Sequence, residues 1–394
     1  MASKTYQVLG LMSGSSLDGL DIAYCSITWE HDRVTNWKLI QSETLPFSDQ
    51  WKNRLRELPN QNAIIFAKTN TYFGHYMASL VNEFIDNYSI TDIDFIASHG
   101  HTIFHDPEHL ISIQIGDGAA LASQTGYTTI CDFRTQDVAL DGEGAPLSPL
   151  VDRYMFHDYD FYLNIGGIAN VSANIGNDTW VALDCCAANQ VLNFLAEELG
   201  RAYDDNGSFA SRGTVNEKLL RQVSSFSYYS NPYPKSMSNG WIRKKLIPLY
   251  LEAECSPEDK LATACEHIAI EISNSIQDII SKEDFVKTSY KMLITGGGVF
   301  NNFLVQTIHA YCNRSLDIDL LIPNPEIINF KEAMLMALLG VLRVEKVPNS
   351  LKSITGAKKD TINGAIHLGY KSVNEKEHLA TVKHQNIVKS KEKV

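Results

Sequence analysis

No stretch of this sequence reaches 18 consecutive apolar residues, and the longest greasy run, Ala333 to Leu342, suits a core helix better than a membrane span. Met1 to Gly10 lacks the charged region, apolar stretch and small-residue cleavage site of a signal peptide. Cysteine is sparse. Seven residues, an odd number with no Cys-x-x-Cys pair, make no disulfide framework and lead us to expect a reduced, cytoplasmic setting. Positive charge is also short, with 34 Lys and Arg against 46 Asp and Glu and a net charge of −12. Only Lys371 to Val394 is Lys-rich, and it also carries Glu375, Glu377 and Glu392. A protein devoted to nucleic acid shows the opposite balance, so neither nucleic acid nor membrane is expected as a partner.

Familiar catalytic signatures are missing too. There is no Gly-x-Ser-x-Gly elbow for a serine hydrolase. Gly14 to Gly19 has the spacing of a Walker loop, but Leu20-Asp21 stands where Lys-Ser/Thr is required. Gly296-Gly-Gly-Val-Phe-Asn fails the dinucleotide pattern. His99, His101 and His105 invite a zinc reading, but no His-Glu-x-x-His or nearby Cys accompanies them. A polar substrate-facing loop, or structural hydrogen bonding, is the better expectation there. Cys185 and Cys186 are adjacent, and a disulfide between neighbours is strained, so they read as buried small residues.

What remains is an ordinary globular composition over 394 residues, enough for two to three domains. The 24 glycines gather at strand ends. Residues 6 to 27 read as strand, polar glycine turn and strand, and the same grammar returns about 155 residues later at Phe161 to Ile175. A third cluster, Gly296 to Gly298, follows the apolar strand at Met292 and enters a helix with Phe300, Phe303, Leu304, Ile308 and Tyr311 on one face. Ile93 to Ser98 reads as a strand ending in the polar loop His99-Gly-His-Thr. Asn189 to Leu199 and Ala264 to Ile280 have helical spacing. Strands interleaved with such helices predict an α/β protein, and the repeated hairpin hints at two related lobes. Three glycine turns flanked by Ser, Thr or Asn suit phosphate oxygens, because exposed backbone N–H groups beside small side chains form an anion-binding concavity. Asp184 ends the apolar run Trp180 to Leu183 at the head of a helix. It is either an N-terminal cap or a side chain facing a cleft at a strand end.

Several motifs together resemble the 1,6-anhydro-N-acetylmuramic acid kinases. They are Gly10-Leu-Met-Ser-Gly-Ser-Ser-Leu-Asp-Gly-Leu-Asp, Ser98-His-Gly-His-Thr-Ile-Phe-His, Gln114-Ile-Gly-Asp-Gly and Asp132-Phe-Arg-Thr-Gln-Asp. Gly142-Glu-Gly-Ala-Pro-Leu, Asn164-Ile-Gly-Gly-Ile-Ala-Asn, Gly296-Gly-Gly and Lys331-Glu-Ala-Met follow in the family's order. Where that family commonly shows Asp-Thr-Gly-Pro-Gly-Asn, this chain has Asp184-Cys-Cys-Ala-Ala-Asn189; Ser15 replaces Thr and His101 stands for Gln.

The resemblance implies a two-lobed actin-like (ribonuclease H-like) ATPase fold with a deep interdomain cleft. Residues 1–135 with about 345–370 would form one lobe and 136–344 the other, with 371–394 a mobile tail. It implies ATP and Mg²⁺, a homodimer, and hydrolytic opening of the anhydro sugar coupled to phosphorylation of O6 in peptidoglycan recycling. ATP would lie on Gly14, Ser15, Ser16, Leu17, Asp18, Gly19, Leu20 and Asp21, on Gly166 and Gly167, and on Gly296, Gly297 and Gly298, with Asp18 at the metal. His99, Gly100, Thr102, Arg134 and Glu332 would face the sugar, although Glu332 could instead cap its helix. Asp184 falls on the family's catalytic aspartate. The alternatives are a kinase of the same fold acting on another sugar, and an inactive nucleotide-binding homologue.

Overall fold

The computed structural model describes residues 3–176, 179–233 and 235–371, so the expectation for the tail past Lys371 lies outside the described residues. The chain divides into two units, Met1–Met155 with Phe330–Val394, and Phe156–Asn329. Each is built on one sheet.

In the first unit, β1 (Lys4–Ser13), β2 (Gly19–Glu30) and β3 (Arg33–Pro46) form an antiparallel meander. β4 (Phe95–Asp106) lies parallel to β1, and β6 (Thr129–Cys131) parallel to β4. β5 (Ile111–Ile115) folds back on β4, and β12 (Ala365–His367) closes the edge beside β6. In the second unit, β7 (Phe161–Ile165), β8 (Ile168–Asn174) and β9 (Trp180–Ala187) repeat the meander. β10 (Tyr290–Thr295) is parallel to β7, and β11 (Ile318–Leu321) parallel to β10. The orders β3-β2-β1-β4-β6 and β9-β8-β7-β10-β11 therefore match strand for strand in direction. This is the ribonuclease H-like arrangement used twice, and the repeated hairpin in the sequence is its trace.

Alternation explains the strands and the 3.6-residue period the helices. β1 buries Val8, Leu9 and Leu11, and helix Ala63–Asn87 lays Phe73, Met77, Val81 and Phe84 against that sheet's core. Helix Pro257–Lys282 begins with Ser256 accepting from the Asp259 N–H and buries Leu261, Ile268, Ile272, Ile276 and Ile279. Helix Pro325–Glu345 carries the greasy run, and its segment from Ala333 runs against β1 at backbone contact. A Cβ on Gly10 would lie 1.9 Å from the Ala333 carbonyl oxygen, so no side chain fits there.

Several expectations change on contact with the structure. His99-Gly-His-Thr is not a loop but the middle of β4, because β5 folds back to pair His101 with Ile115 and Thr102 with Gln114. Phe300 lies outside helix Asn302–Cys312 and is exposed; the buried face of that helix is Leu304, Ile308 and Cys312. The boundary between the units falls after Met155 and before Phe330. Residues 136–155 and 330–344, assigned to the second lobe from sequence, thus sit in the first unit. Asp137 ties the first of these segments to residues 350–355: its carboxylate accepts from the hydroxyls of Ser350 at 2.5 Å and Thr355 at 2.7 Å and from the Gly144 N–H at 2.8 Å. Lys331 pairs with Asp152 at 2.6 Å within the same unit.

All seven cysteines are free thiols. Burial pushes Cys25, Cys185 and Cys312 up to about 12 and Cys131 to about 11, and raises Cys186, Cys255 and Cys265 as well. Among the described residues, no helix is long and apolar enough to cross a membrane.

Candidate functional site

The second unit holds Asp184 near the C-terminal end of β9, where a bulge between Ala169 and Asn170 of the partner strand interrupts the ladder. Cys185 is the extra residue, and both Cys185 and Cys186 are buried in consequence. Asp184 does not cap the following helix, Asn189–Glu197, whose cap residue Ala188 makes no side-chain hydrogen bond. Its Oδ2 instead accepts from the Met237 N–H at 2.9 Å and the Ser236 hydroxyl at 3.3 Å. Half-burial raises its pKa against the lowering effect of those two donors. The result is a carboxylate with one oxygen fixed, in a setting that favours proton uptake.

The residues between Asp184 and the helix hold their shape without glycine. Ala188 takes φ −125° and ψ −103°, outside the common basins, but none of Cys186, Ala187 and Ala188 has positive φ. Backbone bonds tie the segment to the Gly166-Gly167 turn: Ala188 and Gln190 N–H groups donate to Gly167 at 2.9 and 3.2 Å, and Asn189 to Gly166 at 3.1 Å. The glycine turn and the strand end that carries Asp184 are thus one piece.

A pocket of about 480 Å³ opens beside the third cluster, lined by Asn189, Asn193, Tyr203, Asp205, Gly297 and Asn301 among others. This is within the range of small-molecule sites. The three glycines there have separate jobs. A Cβ on Gly298 would lie 2.2 Å from Ile165 Cγ2, and Gly296 sits at φ +86° with the Ile165 carbonyl 2.7 Å from its Cβ position, so both are packing requirements. Gly297 has only Asn189 Nδ2 near, at 3.8 Å, and faces the pocket. Gly166 and Gly14 are similarly open, with nothing nearer than 3.5 Å, whereas Gly19 meets the Leu45 carbonyl at 2.3 Å. Asn301, which caps helix Asn302–Cys312 through the Leu304 N–H, and Asp205 were not singled out in the sequence. The signal for Asn301 was its place directly after the Gly296 cluster.

The first unit carries the other group. Arg134 is half-buried, donating from Nε to His99 Nε2 at 2.9 Å and from Nη1 to the Gly144 carbonyl at 2.6 Å. His99 Nδ1 in turn lies 3.1 Å from the Gly100 carbonyl, so it carries the ring proton. Burial, then the Arg134 charge, pushes His99 down to about 3. Both its nitrogens are spent, and it is a neutral support for the guanidinium. Gly100, at φ +72° with its Cβ position 2.3 Å from the Ile115 carbonyl, is demanded by the β4–β5 pairing. Thr102 is exposed and accepts from Gln114 Nε2 at 3.3 Å. Glu332 is well inside helix Pro325–Glu345, so it does not cap it. Its carboxyl is raised by burial and by the Asp21 charge, and lowered by Arg134 and Lys331. Asp18 is exposed in the first turn, while Asp21 of β2 accepts from the Thr44 hydroxyl at 2.6 Å and is raised by burial. Among the described residues no three His, Cys, Asp or Glu side chains gather as a metal cluster, and His101 is occupied with Ser13 Oγ at 3.0 Å.

Comparison with known proteins follows the same lines. The anhydro-N-acetylmuramic acid kinase family pattern matches residues 6–369. An anhydro-N-acetylmuramic acid kinase of Photobacterium profundum is 32% identical, covering 93% of this chain and 99% of its own. One of Haemophilus influenzae is 31% identical, covering 92% and 98%. Among solved structures, the activator of the 2-hydroxyisocaproyl-CoA dehydratase from Clostridium difficile overlaps 86% of this chain and 97% of its own at 12% identity and a TM-score of 0.38. Hexokinase from Schistosoma mansoni overlaps 85% of each at 10% identity and a TM-score of 0.35. With its family pattern spanning all but the ends, and relatives at this identity matched over nearly their whole length, the chain belongs to the anhydro-N-acetylmuramic acid kinase family.

Proposed function

We propose that this chain is an ATP-dependent kinase that opens 1,6-anhydro-N-acetylmuramic acid with water and phosphorylates O6, giving N-acetylmuramic acid 6-phosphate for cell-wall recycling. The observation that carries the reading is Asp184, a half-buried carboxylate gripped through one oxygen and not used as a cap. The water oxygen bonds to the anomeric carbon while its proton passes to Asp184. The bond from that carbon to the bridging oxygen breaks, and the oxygen left on C6 takes the γ-phosphoryl group as ADP departs. Phosphoryl transfer needs positioning and charge stabilisation more than covalent chemistry from the protein. The open turns at Gly14, Gly166 and Gly297 offer backbone N–H groups for phosphate, and the pocket beside Gly297 has the size for the nucleoside. Asp18 and Asp21 form a carboxylate pair next to the first turn, which fits Mg²⁺, since that ion commonly takes one or two carboxylates plus phosphate oxygens and water. When bound, Mg²⁺ supplies charge neutralisation on the phosphates. Arg134 takes the lactyl carboxylate of the sugar, with His99 and Glu332 setting its direction.

Incubation with ATP, Mg²⁺ and the anhydro sugar in ¹⁸O water tests this. One heavy oxygen should enter the product at the anomeric position and none at the phosphate. Phosphorylated product without label, or no product, overturns the reading.

The glycine roles give a second expectation. Gly297→Val should raise the KM for ATP at least about tenfold, roughly 1.4 kcal/mol, with an unchanged melting temperature. Gly298→Val should instead lower the melting temperature, because its side chain enters Ile165. Calorimetry beside nucleotide titration separates them, and normal ATP binding by Gly297→Val would remove the pocket assignment.

A further inference from the structure

Around Asp184 the second unit has a device that the reaction scheme above does not use. Residues 228–233 and 235–237 flank the end of β9 on two sides. On one side the Tyr228 hydroxyl donates to the Asp184 carbonyl at 2.9 Å. On the other, the Asp184 N–H donates to the Lys235 carbonyl at 3.0 Å, and Ser236 and Met237 grip Oδ2. The Lys235 ammonium folds back onto the Tyr228 and Tyr229 carbonyls, at 3.3 and 2.9 Å, closing the segment on itself. A hollow of about 610 Å³, lined by Tyr229, Tyr233, Lys235 and Glu271 among others, lies beside this segment.

We propose that Ser236 and Tyr228 are positioning residues: they clasp Asp184 so that Oδ2 is fixed by donors and Oδ1 is left to accept the proton of the attacking water. The inference rests on Asp184 as the base. A hydroxyl donating to a carboxylate favours its charged form, so Ser236 also sets the pH at which the base becomes available. The other groups facing this corner are Lys235 and Tyr228 on the segment, Cys185 and Cys186 on β9, and Glu271 on helix Pro257–Lys282. The tyrosine and thiols are pushed up by burial and stay neutral. Glu271 is pushed by burial to about 7, with Lys235 pulling it back, so among the groups facing this corner it could imitate Asp184 in a pH profile.

The test is kcat and KM against pH for the full chain and for Ser236→Ala, Ser236→Thr and Tyr228→Phe, with Ser236→Ala repeated in a Glu271→Gln background. Ser236 is exposed, so its loss threatens folding little. Ser236→Ala should lower kcat about 3- to 10-fold and move the acid limb up by about half to one pH unit, with both KM values unchanged, as expected for one exposed hydrogen bond of ordinary strength. Ser236→Thr should restore the profile, and the shift should persist without Glu271. Tyr228→Phe should lower kcat at unchanged KM. A Ser236→Ala profile superimposed on that of the parent overturns the clasp while Asp184→Asn stays inactive. A fully active Asp184→Asn overturns the base itself, and the clasp with it.

Discussion

Asp184→Asn lowers kcat by about 10²–10⁴-fold, the usual contribution of a positioned general base, and leaves ATP affinity nearly unchanged. The substitution is close to isosteric. Its carboxamide oxygen can still accept from the Met237 N–H, so the strand end keeps its shape. What disappears is the capacity to take a proton. Because burial raises Asp184, the acid limb of the parent should also lie above the range of an exposed aspartate: as pH falls through the raised value the base is protonated and kcat drops. Steady-state kinetics with nucleotide titration of the same protein measures both parts. If the Asn variant kept more than about a tenth of the rate, another group would have to be the base.

Arg134→Ala raises the KM for the muramic sugar strongly and that for ATP little. Removing one partner of a buried, hydrogen-bonded charge pair costs about 2–5 kcal/mol, or roughly 30- to several-thousand-fold. The guanidinium is held at Nε and Nη1, so its direction is set before any carboxylate arrives. Alanine also removes a positive charge that holds down the pKa of Glu332, an exposed side chain, so a variant that keeps the charge is the proper control. Arg134→Lys is that variant. It keeps a positive charge near Glu332 but cannot make the fork or reach His99 in the same way, so it too should bind the sugar poorly. An unchanged KM for the sugar in a folded Arg134→Lys protein would end the carboxylate assignment.

Much of this was legible because it is local. Glycine turns after apolar strands are written in adjacent residues, and so were both hairpins and the Gly296 cluster. The clasp on Asp184 was not, since Ser236 and Met237 lie some fifty residues downstream and nothing in their spacing announces a carboxylate. His99 to Thr102 read as a loop for a similar reason. The partner strand that makes it β-structure comes later, and Gly100 hid the continuity. Asp184 and Glu332 could each have been helix caps on sequence alone. The choice depended on where helices begin, which is the least local fact about them: one starts after Ala188 without a side-chain cap, the other starts at Pro325.

The buried, protonated thiols make the chain its own unfolding clock. A thiol reagent attacks thiolate, and burial keeps these sulfurs as thiols at neutral pH. Reaction at the buried thiols therefore waits for the backbone to open, whereas the half-buried Cys131 and Cys255 react ahead of it. Cys25 and Cys131 lie in the first unit and Cys185, Cys186, Cys255, Cys265 and Cys312 in the second. Of the buried thiols, only Cys25 lies in the first unit and Cys185, Cys186, Cys265 and Cys312 in the second. Mass spectrometry of timed alkylation would count one protected site released by an opening of the first unit and four by the second, so subglobal events could be told from complete unfolding without any engineered probe.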